Sequence, residues 1–372
     1  MTRLWLILIS LFMVAAAAAE EGDFRKAEPG YPYVFPRDHG SHPDFKLEWW
    51  YLTGHLWTKD KLTRFGFQAT FFRAALKPLE KEPGAAGTPL FDSSQAYLAH
   101  IALLDVATGK LHVEERLNRQ GWDADASVTD LEVRNGNWTL RRAADETMNL
   151  QASILADAQI ELTFTPVKPK VIFGENGVSK KSKSSDAASH YVTFPRLATE
   201  GTVRLLGETL EVAGQAWMDH EFSSSQLGPN QKGWDWASIQ LHDGREIMLY
   251  RLRDQDGSAD PYSQLTWIDR VSQQTRFGPE RWEWSARRSW ESPDTKATYP
   301  IDFDLVTIDP KTKEKVCLRL RPLHDDQEIV GKLDSISYWE GACDVLDESG
   351  AIIGEAYVEL TGYDGRLSER LR

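Results

Sequence analysis

The sequence predicts an all-β protein built from antiparallel hairpins, and three observations lead to this fold class. Alternating apolar and polar segments are separated by turn signals about every eight to twelve residues, which is typical of a β-sandwich or a β-barrel. Trp, Tyr and Phe number 14, 11 and 15 in 372 residues, and aromatic side chains favour strands. No convincing amphipathic helix of three turns is present. The length favours two such domains rather than one.

Residues 1–19 have the pattern of a cleavable signal peptide. Arg3 supplies the positive charge, Leu4 to Val14 form the apolar core, and Ala15 to Ala19 supply the small residues that precede cleavage. An uncleaved membrane anchor is the alternative, but the apolar run is short for a span of about 20 residues. We therefore predict cleavage before Glu20 and export to the periplasm or out of the cell.

The first half of the chain predicts successive hairpins after an extended, proline-rich segment at residues 29–40. The strongest turn signal is Asn135-Gly136, because this dipeptide between alternating segments is typical of a two-residue hairpin loop. The strand pairs predicted in this half are Glu48 to Leu56 with Arg64 to Arg73, Tyr97 to Val106 with Leu111 to Leu117, Leu131 to Arg134 with Trp138 to Leu140, and Val203 to Leu205 with Thr209 to Val212. Two more strands are predicted at Gln151 to Leu155 and Gln159 to Thr165.

The second half repeats this pattern. Glu48 to Tyr51 and Gly233 to Trp236 are similar aromatic openings of two hairpins, which suggests two related β-domains that meet around residues 200–225. We predict a first domain at residues 20–217 and a second at 218–372. The strand pairs expected in the second half are Trp236 to Leu241 with Ile247 to Leu252, Asp302 to Ile308 with Val316 to Leu320, and Val345 to Asp347 with Ile352 to Leu360.

Two polar insertions interrupt the hairpins, at residues 77–95 and 174–189. The first is rich in Pro, Gly and charge, and the second contains the basic run Lys180 to Ser185. An anion site is one interpretation of that run, but its composition favours a mobile, solvated loop.

The charge and the motifs exclude several classes of function. Basic residues number 43 and acidic residues 56, so the formal charge is −13, and neither nucleic acid nor an anionic membrane surface is expected as a partner. The sequence contains no nucleophile elbow, zinc-protease motif, P-loop or dinucleotide fingerprint, so we expect no cofactor and no metal. Cys317 and Cys343 leave one disulfide or two buried thiols equally open.

The main candidate for a functional site is the segment from Gln215 to Phe222, followed by Gly233 to Trp236. It places Asp219, His220 and Glu221 among aromatic residues, where charged groups are costly to bury unless they are paired or used in chemistry. A carboxylate beside an imidazole fixes its tautomer or raises its pKa, so Asp219 and His220 are predicted to be an acid/base pair. A structural hydrogen-bond network between strands is the alternative.

Strand alternation decides which of these side chains can act together. In a continuous strand, Trp217, Asp219 and Glu221 face one side, whereas His220 and Phe222 face the other. If the strand ends near Asp219, the following loop could instead turn His220 and Glu221 toward the mouth of a cavity.

Two further positions could contribute to a site. Glu48 precedes three aromatic residues, so partial desolvation is expected to raise its pKa and suit it to act as an acid. Exposure of this carboxylate to solvent is an equal alternative. His100 lies in an apolar strand, where it is either a satisfied core histidine or a residue that faces a ligand cavity.

Four segments have distinctive combinations of aromatic and charged residues: His42 to Gly54, Ala216 to Phe222, Gly233 to Trp236 and Tyr338 to Ala342. They resemble signatures of the AttH and carotenoid 1,2-hydratase family, and the resemblance extends from about Tyr33 to Tyr363. The resemblance implies two lipocalin-like, calycin-type antiparallel β-barrel domains, in agreement with the hairpin pattern.

The resemblance does not imply a single reaction. Carotenoid hydratases in the family protonate an alkene and add water, related fungal proteins shape pericyclic reactions, and exported members are described as predicted secreted hydrolases. Asp219 and His220 match the Asp-His of the hydratases, whereas Glu221 and Phe222 replace their Asn-Trp. Because of this departure and the export signal, carotenoid hydration is not expected here.

Two functions follow from these observations. The first is an exported hydrolase or hydratase that acts on a hydrophobic or lipid-like small molecule by acid/base chemistry. The alternative is a non-catalytic periplasmic carrier of a lipophilic ligand that serves a membrane transport system. The catalytic candidates are Asp219, His220, Glu48 and Glu221, and the ligand-binding candidates are Trp50, Tyr51, His100, Trp217, Trp234, Trp236 and Tyr250.

Overall fold

A computed structural model describes residues 24–78, 94–184, 186–332 and 335–365. The predicted signal peptide and most of the insertion at residues 77–95 lie outside these ranges. The described residues form 23 strands and two 3-10 helices, Arg37–His39 and Pro279–Arg281, and they contain no α-helix. Consequently none of their helices is long and apolar enough to cross a membrane.

Thirteen strands form the first sheet, and all neighbours on its main path pair in antiparallel fashion. These strands are β1 (Leu47–Thr58), β2 (Arg64–Ala75), β3 (Gln95–Asp105), β4 (Lys110–Arg119), β5 (Ala124–Ala126), β6 (Glu132–Asn135), β7 (Trp138–Arg142), β8 (Met148–Ile154), β9 (Ala158–Pro166), β10 (Val171–Ile172), β11 (Ser179–Lys180), β12 (Ala188–Leu205) and β13 (Glu208–Ser225).

Ten strands form the second sheet, with β14 and β23 at its centre. They are β14 (Gln231–Leu241), β15 (Glu246–Asp254), β16 (Gln264–Ile268), β17 (Gln274–Phe277), β18 (Glu283–Glu291), β19 (Thr298–Ile308), β20 (Lys315–Pro322), β21 (Glu328–Ile329), β22 (Tyr338–Leu346) and β23 (Ile352–Thr361).

The first sheet curls into a near-barrel with the strand order β4-β3-β2-β1-β13-β12-β9-β8-β7-β6-β5. Its two ends approach each other where the Asn118 side-chain amide donates to the Asn135 side-chain oxygen at 2.6 Å and Asn135 donates to the Tyr97 carbonyl at 3.1 Å. Buried aromatic and aliphatic side chains fill the interior of this near-barrel. The second sheet curls into a half-barrel around a separate core.

The hairpins follow the turn chemistry of the sequence. Asn135-Gly136 joins β6 to β7, and Gly136 has a φ of 65°, a left-handed conformation that glycine adopts without steric cost. Gly244 joins β14 to β15 with a φ of 86°. The predicted domain boundary after residue 217 falls inside β13, and the chain passes to the second sheet between Ser225 and Gln231.

The outer face of β1, β2, β12 and β13 packs against the second sheet. Gly66 in β2 marks the closeness of this packing, because a Cβ atom there would lie 2.6 Å from the Cβ of Ala342 in β22. A third cluster of buried aromatic and aliphatic side chains fills the layer between the sheets. We call this layer the inter-sheet site.

Two expectations from the sequence are resolved by the packing. The basic run of the second insertion was expected to be solvated, but Lys181 is buried and its Nζ lies 3.0 Å from the Glu221 carboxylate. The expectation was wrong for this residue because a buried acid compensates its charge. Cys317 and Cys343 are free thiols, and Cys343 is buried.

Candidate functional site

The alternation of β1 and β13 divides the predicted site residues between two faces of one sheet. Strand β13 continues past Asp219 to Ser225, so His220 and Glu221 do not turn together toward a cavity mouth. In the register, Trp50 lies opposite His220 and Tyr51 lies opposite Asp219. The even-numbered side chains therefore face the interior of the near-barrel, and the odd-numbered ones face the second sheet. The alternation predicted from the sequence is confirmed.

Two rows of residues face each other in the inter-sheet site. Cross-strand pairing aligns one row on the first sheet and another on the second sheet. The first row contains His100, Thr70, Tyr51, Asp219 and Thr193, and the second contains Tyr250, Trp236, Glu359 and Glu340.

Asp219 is buried, and its carboxylate accepts three hydrogen bonds. Its carboxylate accepts from the Tyr191 hydroxyl at 2.6 Å, the Thr193 hydroxyl at 2.5 Å and the Trp217 indole at 2.7 Å. Burial raises the pKa of Asp219 to about 7, although these three hydrogen bonds favour its ionised form and lower the pKa. The carboxyl group therefore changes its protonation state near neutral pH.

Glu340 projects from the second sheet toward the same layer. Its Oε2 accepts from the Tyr51 hydroxyl at 2.9 Å, whereas its buried Oε1 has no hydrogen-bond partner among the described residues. Burial and the neighbouring Glu359 raise the pKa of Glu340 well above its usual value, and the Tyr51 hydrogen bond only partly offsets this. The folded structure therefore favours the protonated form of Glu340 more than water does.

Glu359 lies directly opposite Glu340 in the pairing of β22 with β23. It accepts from the Trp234 indole at 2.9 Å and from the Thr361 hydroxyl at 2.7 Å. Burial raises the pKa of Glu359 to about 7 despite these hydrogen bonds. Glu359 itself is half-buried, and carboxyl groups from both sheets thus share an aromatic environment.

Glu221 completes the acidic side of the inter-sheet site. It pairs with Lys181 and accepts from the Ser189 hydroxyl. The Lys181 ammonium also lies 5.0 Å and 4.6 Å from the ring centroids of Tyr191 and Tyr250. These aromatic faces stabilise the Lys181 ammonium in its place beside Glu221. Within the described ranges, Glu221 is therefore paired with a buried positive charge, unlike Asp219, Glu340 and Glu359.

The aromatic residues predicted to bind ligand pack mainly against one another. Trp236 meets Tyr51 edge to face at 5.3 Å and Trp217 at 6.1 Å between ring centroids. The Trp236 indole donates to the Tyr191 hydroxyl at 3.1 Å, which links it to Asp219. These rings therefore form the walls of the inter-sheet site.

His100 reaches the inter-sheet site from β3. Its Nδ1 lies 2.7 Å from the Tyr338 hydroxyl and its Nε2 lies 2.8 Å from Glu115 Oε2. The imidazole is completely buried and packs edge to face on Phe72. His100 is thus a fully hydrogen-bonded, buried histidine, as in the first alternative from the sequence, and a role in ligand binding stays a prediction.

Glu48 lies on the opposite face of β1, inside the near-barrel. Its carboxylate accepts from Arg73 Nε at 2.8 Å, from the Ser41 hydroxyl at 3.0 Å and from the His42 backbone amide. Burial alone would raise the pKa of Glu48, but Arg73 and the hydrogen bonds of His220 and His42 hold it well below its usual value. The expectation of a raised pKa was wrong because the sequence did not show these partners.

His220 belongs to the Glu48 network and not to Asp219. Its Nε2 lies 2.9 Å from Glu48 Oε1, and its ring stacks on Trp50 at 4.9 Å between centroids. Burial lowers the pKa of His220 and outweighs the effect of Glu48, so the imidazole is neutral. Asp219 and His220 are neighbours in sequence, yet their side chains point to opposite faces of β13.

One group in the described part of the chain has the spacing of metal ligands. His42, Glu48 and His220 each offer a ligand atom, and these atoms lie within 4.8 Å of one another. His42 also lies 3.2 Å from Asp38, and these two carboxylates raise the pKa of His42 against the effect of burial. The Arg73 guanidinium already compensates the Glu48 charge, so a second cation fits this cluster poorly.

The structure thus separates the predicted site residues into two groups. The inter-sheet site contains Asp219, Glu221, Tyr51, His100, Trp217, Trp234, Trp236 and Tyr250, and the near-barrel interior contains Glu48, His220 and Trp50. A polar surface groove of about 710 Å³ on the outer face of β5 to β9 contains none of them.

Several residues of the inter-sheet site were not found from the sequence. Glu340 lies in the segment from Tyr338 to Ala342, and alternation places it on the same face of the strand as Tyr338. Glu359 and Glu115 are single acidic residues in strands with no local signal. Only the pairing of distant strands shows that they converge. The residues missed in this way are Glu115, Tyr191, Tyr338, Glu340 and Glu359.

The comparisons with known proteins agree with this architecture. The model of the AttH-like family matches residues 26–363. The crystal structure of a provisional AttH from Nitrosomonas europaea is 33% identical, with a TM-score of 0.79, and the match covers 91% of this chain and 99% of that one. The predicted lipocalin-like, all-β fold is therefore confirmed. No protein with curated annotation matches the sequence significantly.

More distant structures share the fold. Kievitone hydratase from Nectria haematococca is 16% identical with a TM-score of 0.65, and the match covers 91% of this chain and 97% of that one. CghA in complex with Sch210972 is 14% identical with a TM-score of 0.52, and the match covers 92% and 98%. These likenesses concern the fold alone.

Proposed function

Because this chain belongs to the AttH-like family, we propose that it adds water to, or hydrolyses, a small hydrophobic molecule bound between its two sheets. Water addition is the first reaction to test, since one structure that shares the fold is a hydratase. The residues of the inter-sheet site support the same class of chemistry, because they include acids that hold protons at neutral pH inside an aromatic enclosure.

The observation that carries this proposal is the free oxygen of Glu340. A buried polar atom without a partner is costly, so it indicates a group that meets water or substrate during function. The Tyr51 hydroxyl occupies the other oxygen at 2.9 Å, which leaves Oε1 as the acidic group directed at a ligand. A carboxylic acid kept protonated by burial is a suitable general acid at neutral pH.

The proposed reaction begins with proton transfer from Glu340 Oε1 to one carbon of an alkene, or to the leaving oxygen in hydrolysis. In hydration, the adjacent carbon becomes positively charged, and the aromatic rings of the inter-sheet site are proposed to stabilise it. The carboxyl groups of Glu359 and Asp219 add a negative electrostatic environment as they ionise. Water then bonds to the cationic carbon and loses one proton, so that one water molecule is added and Glu340 is reprotonated.

Asp219 is proposed to supply the second titratable carboxyl group. It exchanges its proton through the Tyr191 hydroxyl, which is also held by the Trp236 indole. Glu221 is paired with Lys181 and is better suited to electrostatic stabilisation than to proton donation. The sequence also predicted Glu48 and His220 as catalytic residues, and no observation tests that role. In this proposal their hydrogen bond joins β1 to β13 and they take no part in the reaction.

The site supports a hydrophobic small molecule or lipid as the substrate, because its walls are aromatic. Export is proposed from the pattern of residues 1–19, so the substrate would be encountered in the periplasm or outside the cell.

The test is conversion of lipid-extractable small molecules in water labelled with a heavy oxygen isotope. Hydration predicts a product heavier than its precursor by one labelled water, whereas hydrolysis predicts two fragments that together gain it. The variant Glu340→Gln should reduce turnover by about 10²- to 10⁴-fold, since it removes the acid and preserves the shape.

Glu161→Gln on the exposed surface of β9 is the matched control and should keep full turnover. Full turnover by Glu340→Gln would refute the proposed acid. A native protein that retains an unmodified lipophilic ligand through the incubation would instead identify a carrier.

A further inference from the structure

We infer that Tyr338, His100 and Glu115 form the base that takes a proton from the added water, an inference that rests on the proposed function. The mechanism proposed above returns this proton to Glu340 but names no group that first accepts it from the water. The three side chains come from β22, β3 and β4 and meet at the edge of the inter-sheet site.

The contacts have the order hydroxyl, imidazole and carboxylate. The Tyr338 hydroxyl lies 2.7 Å from His100 Nδ1, and His100 Nε2 lies 2.8 Å from Glu115 Oε2. The side chains of His100 and Glu115 are 0% and 2% exposed, so bulk water does not compete for these hydrogen bonds. In catalytic triads the same order lets the imidazole accept the hydroxyl proton while the carboxylate fixes its tautomer.

The carboxylate sets the direction of the relay. An ionised Glu115 accepts hydrogen bonds only, so it favours the proton on His100 Nε2 and leaves Nδ1 as an acceptor. The Ser335 hydroxyl also donates to Glu115 Oε2, which supports the acceptor role of this carboxylate. The Tyr338 hydroxyl can then donate to Nδ1 and accept a proton from a molecule in the inter-sheet site.

The strand geometry places this base beside the proposed acid. Tyr338 and Glu340 are two residues apart in β22, so their side chains share one face and their Cα atoms are roughly 7 Å apart. A substrate between them would meet a proton donor and a proton acceptor from the same strand.

Two further buried oxygens on β1 and β2 lack a hydrogen-bond partner among the described residues. They are Thr53 Oγ1 and Gln68 Oε1, and the two residues lie directly opposite each other. The Gln68 side chain also faces the Tyr338 hydroxyl. Buried waters are held by two to four polar groups, so the inference places the added water at this pair of oxygens.

Each proton in this step has a donor and an acceptor. Water forms a carbon–oxygen bond to the cationic carbon and transfers one proton to the Tyr338 oxygen. Tyr338 passes its own proton to His100 Nδ1, and the resulting imidazolium is stabilised by Glu115. The proton then returns to Glu340, which had given one proton to the substrate, and the net change is the addition of one water molecule.

The first test needs no substrate and reads the tautomer of His100. Nitrogen NMR of histidine-labelled protein should show an unprotonated Nδ1 and a protonated Nε2, with the resonances assigned by their loss in His100→Gln. In Glu115→Gln, the amide can donate to Nε2, so the proton should move to Nδ1. A wild-type proton on Nδ1, or an unchanged tautomer in Glu115→Gln, would overturn the inference.

The second test measures turnover with the substrate found for the native protein. Glu115→Gln should lower kcat by about 10²- to 10⁴-fold with little change in KM, because binding is preserved and the relay is not. Tyr338→Phe should lose a similar factor. Glu114→Gln, the neighbouring residue on β4 that pairs with Arg116, is the matched control and should behave as wild type.

The outcomes separate this inference from the proposed function. If Glu340→Gln is inactive while Tyr338→Phe and Glu115→Gln keep full kcat, the base is wrong and the proposed function stands. If Glu340→Gln keeps full turnover, the proposed acid is wrong, and the His100 tautomers still decide whether the relay exists.

Discussion

At the scale of single residues, the site is defined by how each acid is compensated. Arg73 and two imidazoles hold the pKa of Glu48 well below its usual value, whereas burial raises the pKa of Glu340, which meets one tyrosine. Both carboxyl groups are completely buried, so burial alone does not distinguish them. The two carboxyl groups differ in their partners. In the inter-sheet site, Glu340 has no positively charged partner among the described residues that would compensate a negative charge.

Asp219 leads to a prediction about stability and pH. Its pKa is raised from 3.8 to about 7 in the folded protein, so the native state binds this proton more tightly than the unfolded state. The stabilisation is complete below the unfolded pKa and is lost as pH rises through about 7. The corresponding free energy is on the order of 4 kcal/mol at most.

The variant Asp219→Asn cannot ionise, so its stability relative to wild type should rise between pH 4 and pH 8. Urea unfolding at several pH values measures this difference, and Glu359, which titrates with the same sign, is present in both proteins. The exposed variant Asp145→Asn should show no such rise. A difference that is constant with pH would contradict a buried, protonated Asp219.

At the scale of the elements, the hairpins were predictable but their partners were not. Turn residues such as Gly136 and alternating patterns are local, so they indicate strands and the face of each side chain. The pairing of β1 with β13 joins residues about 170 positions apart, and no local pattern encodes it. The sequence therefore predicted that Asp219 and His220 face apart in a strand, but not which neighbours each would meet.

Close contact between β2 and β22 leads to a prediction at this scale. Gly66→Ala would place a methyl group 2.6 Å from the Cβ of Ala342, so the sheets must separate locally. We expect a loss of about 1–3 kcal/mol in the free energy of unfolding, measured with urea.

The double variant Gly66→Ala/Ala342→Gly removes the clash and is the control. It should recover most of the lost stability, because the new methyl group takes the space of the deleted one. Equal stability of Gly66→Ala and wild type would show that the sheets are not packed this closely.

At the scale of the whole molecule, the inter-sheet site exists only when both sheets are joined. Ion pairs link the sheets around it, with Arg64 Nη1 2.6 Å from Asp344 and both Arg196 Nε and Lys168 Nζ 2.6 Å from Glu246. The first sheet contributes Asp219, and the second contributes the other acids with raised pKa values. A single near-barrel would expose its half of these groups to water, where they would ionise normally. The two-sheet architecture is thus the physical cause of the proton chemistry proposed here.

The most direct test of this account is the protonation state of Glu340 at neutral pH. Infrared spectroscopy detects the carbonyl stretch of a protonated carboxyl group, which is absent from a carboxylate and shifts in deuterated water. We predict such a band in the wild-type protein at pH 7 and its loss in Glu340→Gln, with Glu161→Gln as the unchanged control. A spectrum in which Glu340→Gln removes no protonated-carboxyl band would show that Glu340 is ionised and would contradict the central claim.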